Sequence, residues 1–149
     1  MLVNLDVSSK KRLFEHIGLI VENERRIPRA AVFDALMARE RLGSTGLGLG
    51  VAIPHGRIRQ LRDVIAIFVR PTVAIPFDAP DGQPVELVFA MLVPEHANEQ
   101  HLSLLSELAQ MFGDDAFRET LLRAPDAPAL HALLSQWTPY AEPERPATV

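Results

Sequence analysis

Val64-Ile65-Ala66-Ile67-Phe68-Val69 and Leu87-Val88-Phe89-Ala90-Met91-Leu92-Val93 are the longest apolar runs in the sequence. Both are far shorter than the roughly 20 residues a membrane helix requires. The first is rich in β-branched residues and bounded by Arg62-Asp63 and Pro71, which predicts a buried strand. The second, extended back to Val85, predicts another. Neither alternates apolar with polar residues, so both faces of such strands need cover. A sheet covered by helices meets that need. The order of the strands does not follow from the pattern.

Helical periodicity lies on both sides of the strands. Ser8-Ser9 offers an N-cap, and Leu13, Ile17 and Ile20 follow at helical spacing, predicting a helix from about Lys10 to Glu22. Pro28 suits the first turn of a second helix, which Val32 and Leu36 carry to Leu42 before Gly43 stops it. After the strands, Asn98 is the expected cap of a helix bearing Leu102, Leu105, Leu108 and Phe112. Asp114 and Asp126 are the expected caps of two more. Between the strands, Pro71 to Pro84 holds four prolines and the turn signal Asp81-Gly82. The reading is one domain over 1–137, followed by a loose tail over 138–149 marked by Pro139, Pro143 and Pro146.

The 149 residues are 48% hydrophobic and 23% charged, which suits one globular domain and argues against a disordered chain. Cysteine is absent, which removes disulfides, thiolate catalysis and cysteine-based metal sites. The net charge of −4 does not favour nucleic acid. The amino-terminal residues lack the basic and apolar regions of an export signal, and the expected location is the cytoplasm, with no membrane insertion. Five histidines remain as the main candidates for chemistry near neutral pH.

Gly46, Gly48 and Gly50 alternate in a glycine-rich segment. Val51 and Ile53 stand where a dinucleotide fingerprint needs its third glycine, and no P-loop lysine follows, so a nucleotide site is not expected. The segment reads as a loop able to present backbone N–H groups to an anion. His55 follows it between Pro54 and Gly56, at the expected end of a short strand. The proline restrains the backbone, and the glycine is expected to leave room beside the ring. A neutral imidazole held there is a nucleophile able to accept a phosphoryl group, although the local motif alone favours an ordinary strand-end turn. His96 and His101, five apart, do not match metal-ligand spacing. His101 falls in the first turn of its helix, where anions are favoured, but spacing alone favours a capping or partly buried structural role. Arg39, Arg41, Arg57, Arg59 and Arg62 bracket the glycine segment and His55.

The run Arg39-Glu40-Arg41-Leu42-Gly43-Ser44-Thr45-Gly46-Leu47-Gly48, followed by Gly50-Val51-Ala52-Ile53-Pro54-His55-Gly56, resembles the active-site signature of phosphotransferase-system enzyme IIA. The likeness is to the fructose/mannitol type, and within it to the nitrogen-regulatory branch. Phe77-Asp78-Ala79-Pro80-Asp81-Gly82 and Val93-Pro94-Glu95 extend it, as does His101-Leu102-Ser103, over about Leu5 to Trp137. The resemblance implies a mixed sheet with helices on both sides. It implies that His55 accepts phosphate from an HPr-like phosphocarrier protein, with His101 and Arg39 assisting. It further implies that Ser44, Thr45, Gly46, Gly48, Gly50 and Gly56 line or shape the phosphate site. No metal or organic cofactor is called for, since the phosphoryl group derives from phosphoenolpyruvate through donor proteins. Leu49 departs from the asparagine common in this branch. The expected role is regulatory, linked to nitrogen and potassium control through sensor kinases or transporters. The alternatives are a sugar-specific IIA component passing phosphate to a separate IIB chain, a pure docking module, and a hydrolase holding a metal with His55, His96 and His101.

Overall fold

The structure is a computed structural model that describes residues 2–59, 61–96 and 99–136, with backbone alone at 2–4 and 99–102. The Asn98 cap, the Leu102 side chain and the tail expected from 138 onward lie outside the described residues.

Six strands, β1 (Leu2–Leu5), β2 (Gly46–Gly48), β3 (Val51–Ala52), β4 (His55–Ile58), β5 (Ile65–Pro71) and β6 (Leu87–Pro94), form one sheet among the described residues. Its order is β1-β5-β6-β3-β2, with β4 also paired to β6. The β5–β6 and β2–β3 pairs are antiparallel, while β1–β5, β3–β6 and β4–β6 are parallel. The sheet is therefore mixed. One long strand, β6, carries β5 along one edge and the successive short strands β3 and β4 along the other.

Five helices cover it: α1 (Lys10–Arg25), α2 (Arg29–Glu40), α3 (Glu99–Phe112), α4 (Asp115–Arg123) and α5 (Ala127–Gln136). The two-residue period of the strands sorts their side chains between two layers. Ile65, Ile67, Val69, Val88, Ala90 and Leu92 point to α1 and α2 and meet Leu13, Phe14, Ile17, Val32 and Leu36. Phe68, Leu87, Met91 and Val93 point to the other face and meet Leu108, Met111, Phe112, Leu121 and Leu130. Phe68 stacks on Phe112 with centroids 6.4 Å apart. Both faces of β5 and β6 are thus buried, as their unbroken apolar runs require.

The helix ends follow side-chain chemistry. Ser9 Oγ accepts the Arg12 N–H at 3.1 Å, Asp114 Oδ1 that of Phe117 at 3.1 Å, and Asp126 Oδ1 that of Ala129 at 3.0 Å. α1 runs past Glu22 to Arg25, because its last turn is polar and leaves no apolar period to read. It closes on Arg26 with φ 60°. α2 stops at Glu40 rather than Leu42. Beyond it the chain tightens, with the Leu42 N–H bonded to the Arg39 carbonyl and the Gly43 N–H to that of Glu40.

Three strands arise where sequence periodicity suggested none, the first being β1, which pairs in parallel with β5. Gly46–Gly48, read as open loop, pairs with β3. His55, read as the end of a strand, instead begins β4. The β2–β3 turn needs positive φ at Gly48 (85°), Leu49 (62°) and Gly50 (79°). Leu49 carries the steric penalty of the left-handed region with its side chain largely exposed. Leu49→Gly is expected to raise stability by about 0.5–1 kcal/mol, read as a higher urea midpoint with an unchanged slope.

Candidate functional site

Between β3 and β4 the chain interrupts its pairing at Ile53-Pro54. Proline has no N–H to give to a ladder. Its carbonyl still accepts the Met91 N–H at 2.9 Å, and the Ile53 N–H bonds to the Thr45 carbonyl at 3.0 Å. β4 then pairs His55 with Met91 and Gly56 with Leu92. The His55 side chain is half-buried. Its Nδ1 lies 2.9 Å from the Ile53 carbonyl oxygen. A carbonyl only accepts, so Nδ1 carries the proton, and the lone pair of the neutral ring sits on Nε2.

His55, Arg39, Leu42, Gly56, Arg57 and Leu105 are among the residues around one pocket of about 420 Å³. It lies against the outer edge of β4, between α2 and α3. Arg39 reaches it from the last turn of α2, with Nη1 donating to the Gly43 carbonyl at 2.9 Å. Arg57 stands two residues after His55, on the same face of β4, and its Nη1 donates to the Glu95 carbonyl at 2.8 Å. Burial pushes the His55 pKa below the ordinary histidine value, more than the bond to Ile53 raises it. The Arg39 and Arg57 charges push the same way as burial, against Glu40. The site therefore holds a neutral imidazole at pH 7 beside two guanidinium groups.

Gly56 works differently from the sequence expectation. A Cβ placed there would lie 2.8 Å from the Ala35 backbone carbon. The glycine makes room for α2 to lie against β4, rather than for the imidazole, and so brings Arg39 beside His55.

Ser44, Thr45, Gly46, Gly48 and Gly50 are set apart from this pocket. Ser44 Oγ donates to the Phe77 carbonyl at 2.6 Å and accepts from the Gly46 N–H at 3.0 Å. The buried Glu40 carboxylate receives the Thr45 hydroxyl (2.6 Å), the Thr45 N–H (3.1 Å) and Lys10 Nζ (2.9 Å). The Leu49 N–H bonds to Asp81 Oδ2 at 3.0 Å. Three N–H groups of the glycine segment thus already have acceptors. The segment braces α1, α2 and the 77–82 loop behind the site.

His101 lies in the first turns of α3, four residues before Leu105, which lines the pocket. His96 is exposed in the turn after β6, its Nε2 3.9 Å from Glu95 Oε1. His16 and His131 are exposed on α1 and α5. Arg57 is the pocket residue the sequence reading did not single out from its neighbouring arginines. The signal was its two-residue spacing from His55, legible only once β4 is known to be a strand.

The family model described as phosphoenolpyruvate-dependent sugar phosphotransferase system, EIIA 2, matches residues 1–137. The nitrogen regulatory protein of Pseudomonas aeruginosa is 42% identical over 134 residues, covering 89% of this chain and 87% of its own. The crystal structure of nitrogen regulatory protein IIA-Ntr from Neisseria meningitidis superposes with a TM-score of 0.84 at 48% identity, covering 89% of this chain and 91% of that one. IIA mannitol from Escherichia coli shares the fold, with a TM-score of 0.73 at 19% identity over 89% of this chain and 94% of its own.

Following the His55 ring protons by NMR against pH should give a midpoint below 6.5, the ordinary histidine value. Because the folded pKa is the lower one, the unfolded chain binds more protons between the two values. The contribution of His55 to stability is therefore full above about pH 6.5 and is lost as pH falls through the folded midpoint.

Proposed function

The chain belongs to the EIIA 2 family of the phosphoenolpyruvate-dependent sugar phosphotransferase system, and on that premise we propose that His55 is its phosphoacceptor, loaded by an HPr-like phosphocarrier protein. The observation that carries this reading is the His55 Nδ1 bond to the Ile53 carbonyl. It leaves Nε2 as the nucleophile. In the transfer, a bond forms from Nε2 to phosphorus as the phosphorus–nitrogen bond of the donor histidine breaks, and the donor imidazole departs. The Nδ1 proton stays in place, and the Ile53 carbonyl stabilises the positive ring that forms once Nε2 bonds phosphorus. Arg39 and Arg57 hold the non-bridging oxygens as charge redistributes, the electrostatic part of phosphoryl transfer. His101 is a further candidate for this role by its place on α3. The chemistry calls for no metal or organic cofactor, since the donor supplies an already activated phosphoryl group.

The identity to nitrogen regulatory proteins supports a regulatory output. In this reading the phosphorylated and unphosphorylated forms present different charge at the pocket mouth, and nitrogen- or potassium-related targets such as sensor kinases or transporters bind one of them. Phosphate adds roughly two negative charges beside two arginines, enough to offset most of the positive charge at the pocket mouth.

Incubation with phosphoenolpyruvate and the purified donor relay should add one phosphoryl group, mapped to His55 by mass spectrometry. His55→Ala should take up none. Arg39→Gln should slow uptake about 100-fold, the usual cost of one charge-stabilising donor. Labelling of His55→Ala at the normal rate contradicts the proposal. Rapid onward transfer to a IIB cysteine would instead favour the sugar-specific role.

A further inference from the structure

On the far side of β4 from α3, a second hollow of about 520 Å³ opens where α1 ends, α2 begins and β4 runs out. Four arginines stand around it: Arg25 and Arg26 from the end of α1, and Arg57 and Arg59 from β4 and the residue after it. The chain as a whole is acidic, at −4, so this clustering runs against its average. Like charges held this close repel, and carboxylates do little here to relieve them. Arg59 Nε comes within 3.8 Å of Glu95 Oε2, and Arg57 binds the Glu95 backbone carbonyl rather than its carboxylate. Glu22, the nearby acid of α1, is engaged by Arg29 at 2.9 Å. The side chains of Arg25 and Arg26 make no hydrogen bond or ion pair with a described residue. Beneath this charged rim, Ile27 and Ile58 supply an apolar floor.

We infer that this hollow is a binding site for a small organic molecule carrying two or more phosphate groups. Guanidinium forks match phosphate oxygens in pairs, and several around one concavity favour a polyvalent anion over a single charge. The volume falls in the range of small-ligand sites, and the floor suits the organic body of such a ligand. The site is separate from the His55 pocket but shares Arg57 with it. It requires neither phosphorylation of His55 nor a donor protein.

Isothermal titration of the unphosphorylated full chain at about 0.1 M salt tests it, with sulfate, tripolyphosphate and magnesium-free ATP as probes. Tripolyphosphate should bind at least about tenfold more tightly than sulfate, and ATP at least as tightly as tripolyphosphate. The double variant Arg25→Gln, Arg26→Gln should weaken tripolyphosphate about tenfold or more. Both positions are exposed, and an unchanged melting temperature without ligand would show that the variant folds. His55→Ala should bind within about twofold of the natural chain. Equal affinity for sulfate and tripolyphosphate overturns the site, as does indifference to the double variant. Weaker binding of ATP overturns its organic selectivity. Loss of binding in His55→Ala assigns the anion to the phosphoacceptor pocket instead. None of these results bears on whether His55 accepts phosphate.

Discussion

Alongside β6 the chain runs as β3, stops pairing at Ile53-Pro54, and pairs again as β4. That interruption fixes the chemistry of His55. Pro54 contributes a carbonyl to the ladder but no N–H, and the Ile53 carbonyl accepts from the His55 ring instead. The imidazole is held by a backbone atom of the junction just before the strand it begins, where Ile53 is itself bonded to the Thr45 carbonyl, so its orientation is tied to the sheet. A side-chain partner would add its own rotamers, whereas a backbone carbonyl in a buried strand junction adds none. The result is a chosen tautomer and a nucleophilic nitrogen whose position is set before any partner arrives.

The surrounding layers complete this arrangement by close packing rather than by long polar reach. α2 lies so near β4 that Gly56 admits no Cβ, and this brings Arg39 to the mouth of the pocket. The helix is pinned at its end by Glu40, whose buried carboxylate collects Lys10 from α1 and both donors of Thr45. A buried carboxylate so fully satisfied ties three segments to one another, and losing a partner would leave it costly. The apolar pocket walls and the two guanidinium groups act together on the ring. Burial and positive charge both disfavour protonation, which keeps the lone pair available at neutral pH, and the same positive charge favours an anion beside the ring.

The parts of this design that were legible in the sequence are those written in unbroken apolar runs and in caps. β5 and β6 announce themselves because burial on both faces leaves no polar residues to interrupt them. Ser9, Asp114 and Asp126 mark helix starts by a chemistry that needs only local sequence. β1, β2 and β4 escape such reading for physical reasons. They are three or four residues long, and β2 and β4 are built around glycines whose purpose is long-range. Gly56 answers to Ala35 on another element, and Gly46 to Ala79 on another loop. The roles of Ser44 and Thr45 were obscured in the same way. A hydroxyl beside a glycine segment looks like a ligand until the Phe77 carbonyl and Glu40 are seen to occupy it. The run from Arg39 to Gly56 was legible as a family resemblance, but tasks such as those of Ser44 and Gly56 depend on contacts with Phe77 and Ala35, more than 20 positions away.

The Ile53 carbonyl selects the His55 tautomer. Nitrogen-15 NMR of the imidazole in the unphosphorylated protein, above its midpoint, measures this directly. A pyrrole-like, protonated Nδ1 and a pyridine-like Nε2 are expected. A protonated Nε2 with a bare Nδ1 would contradict that selection.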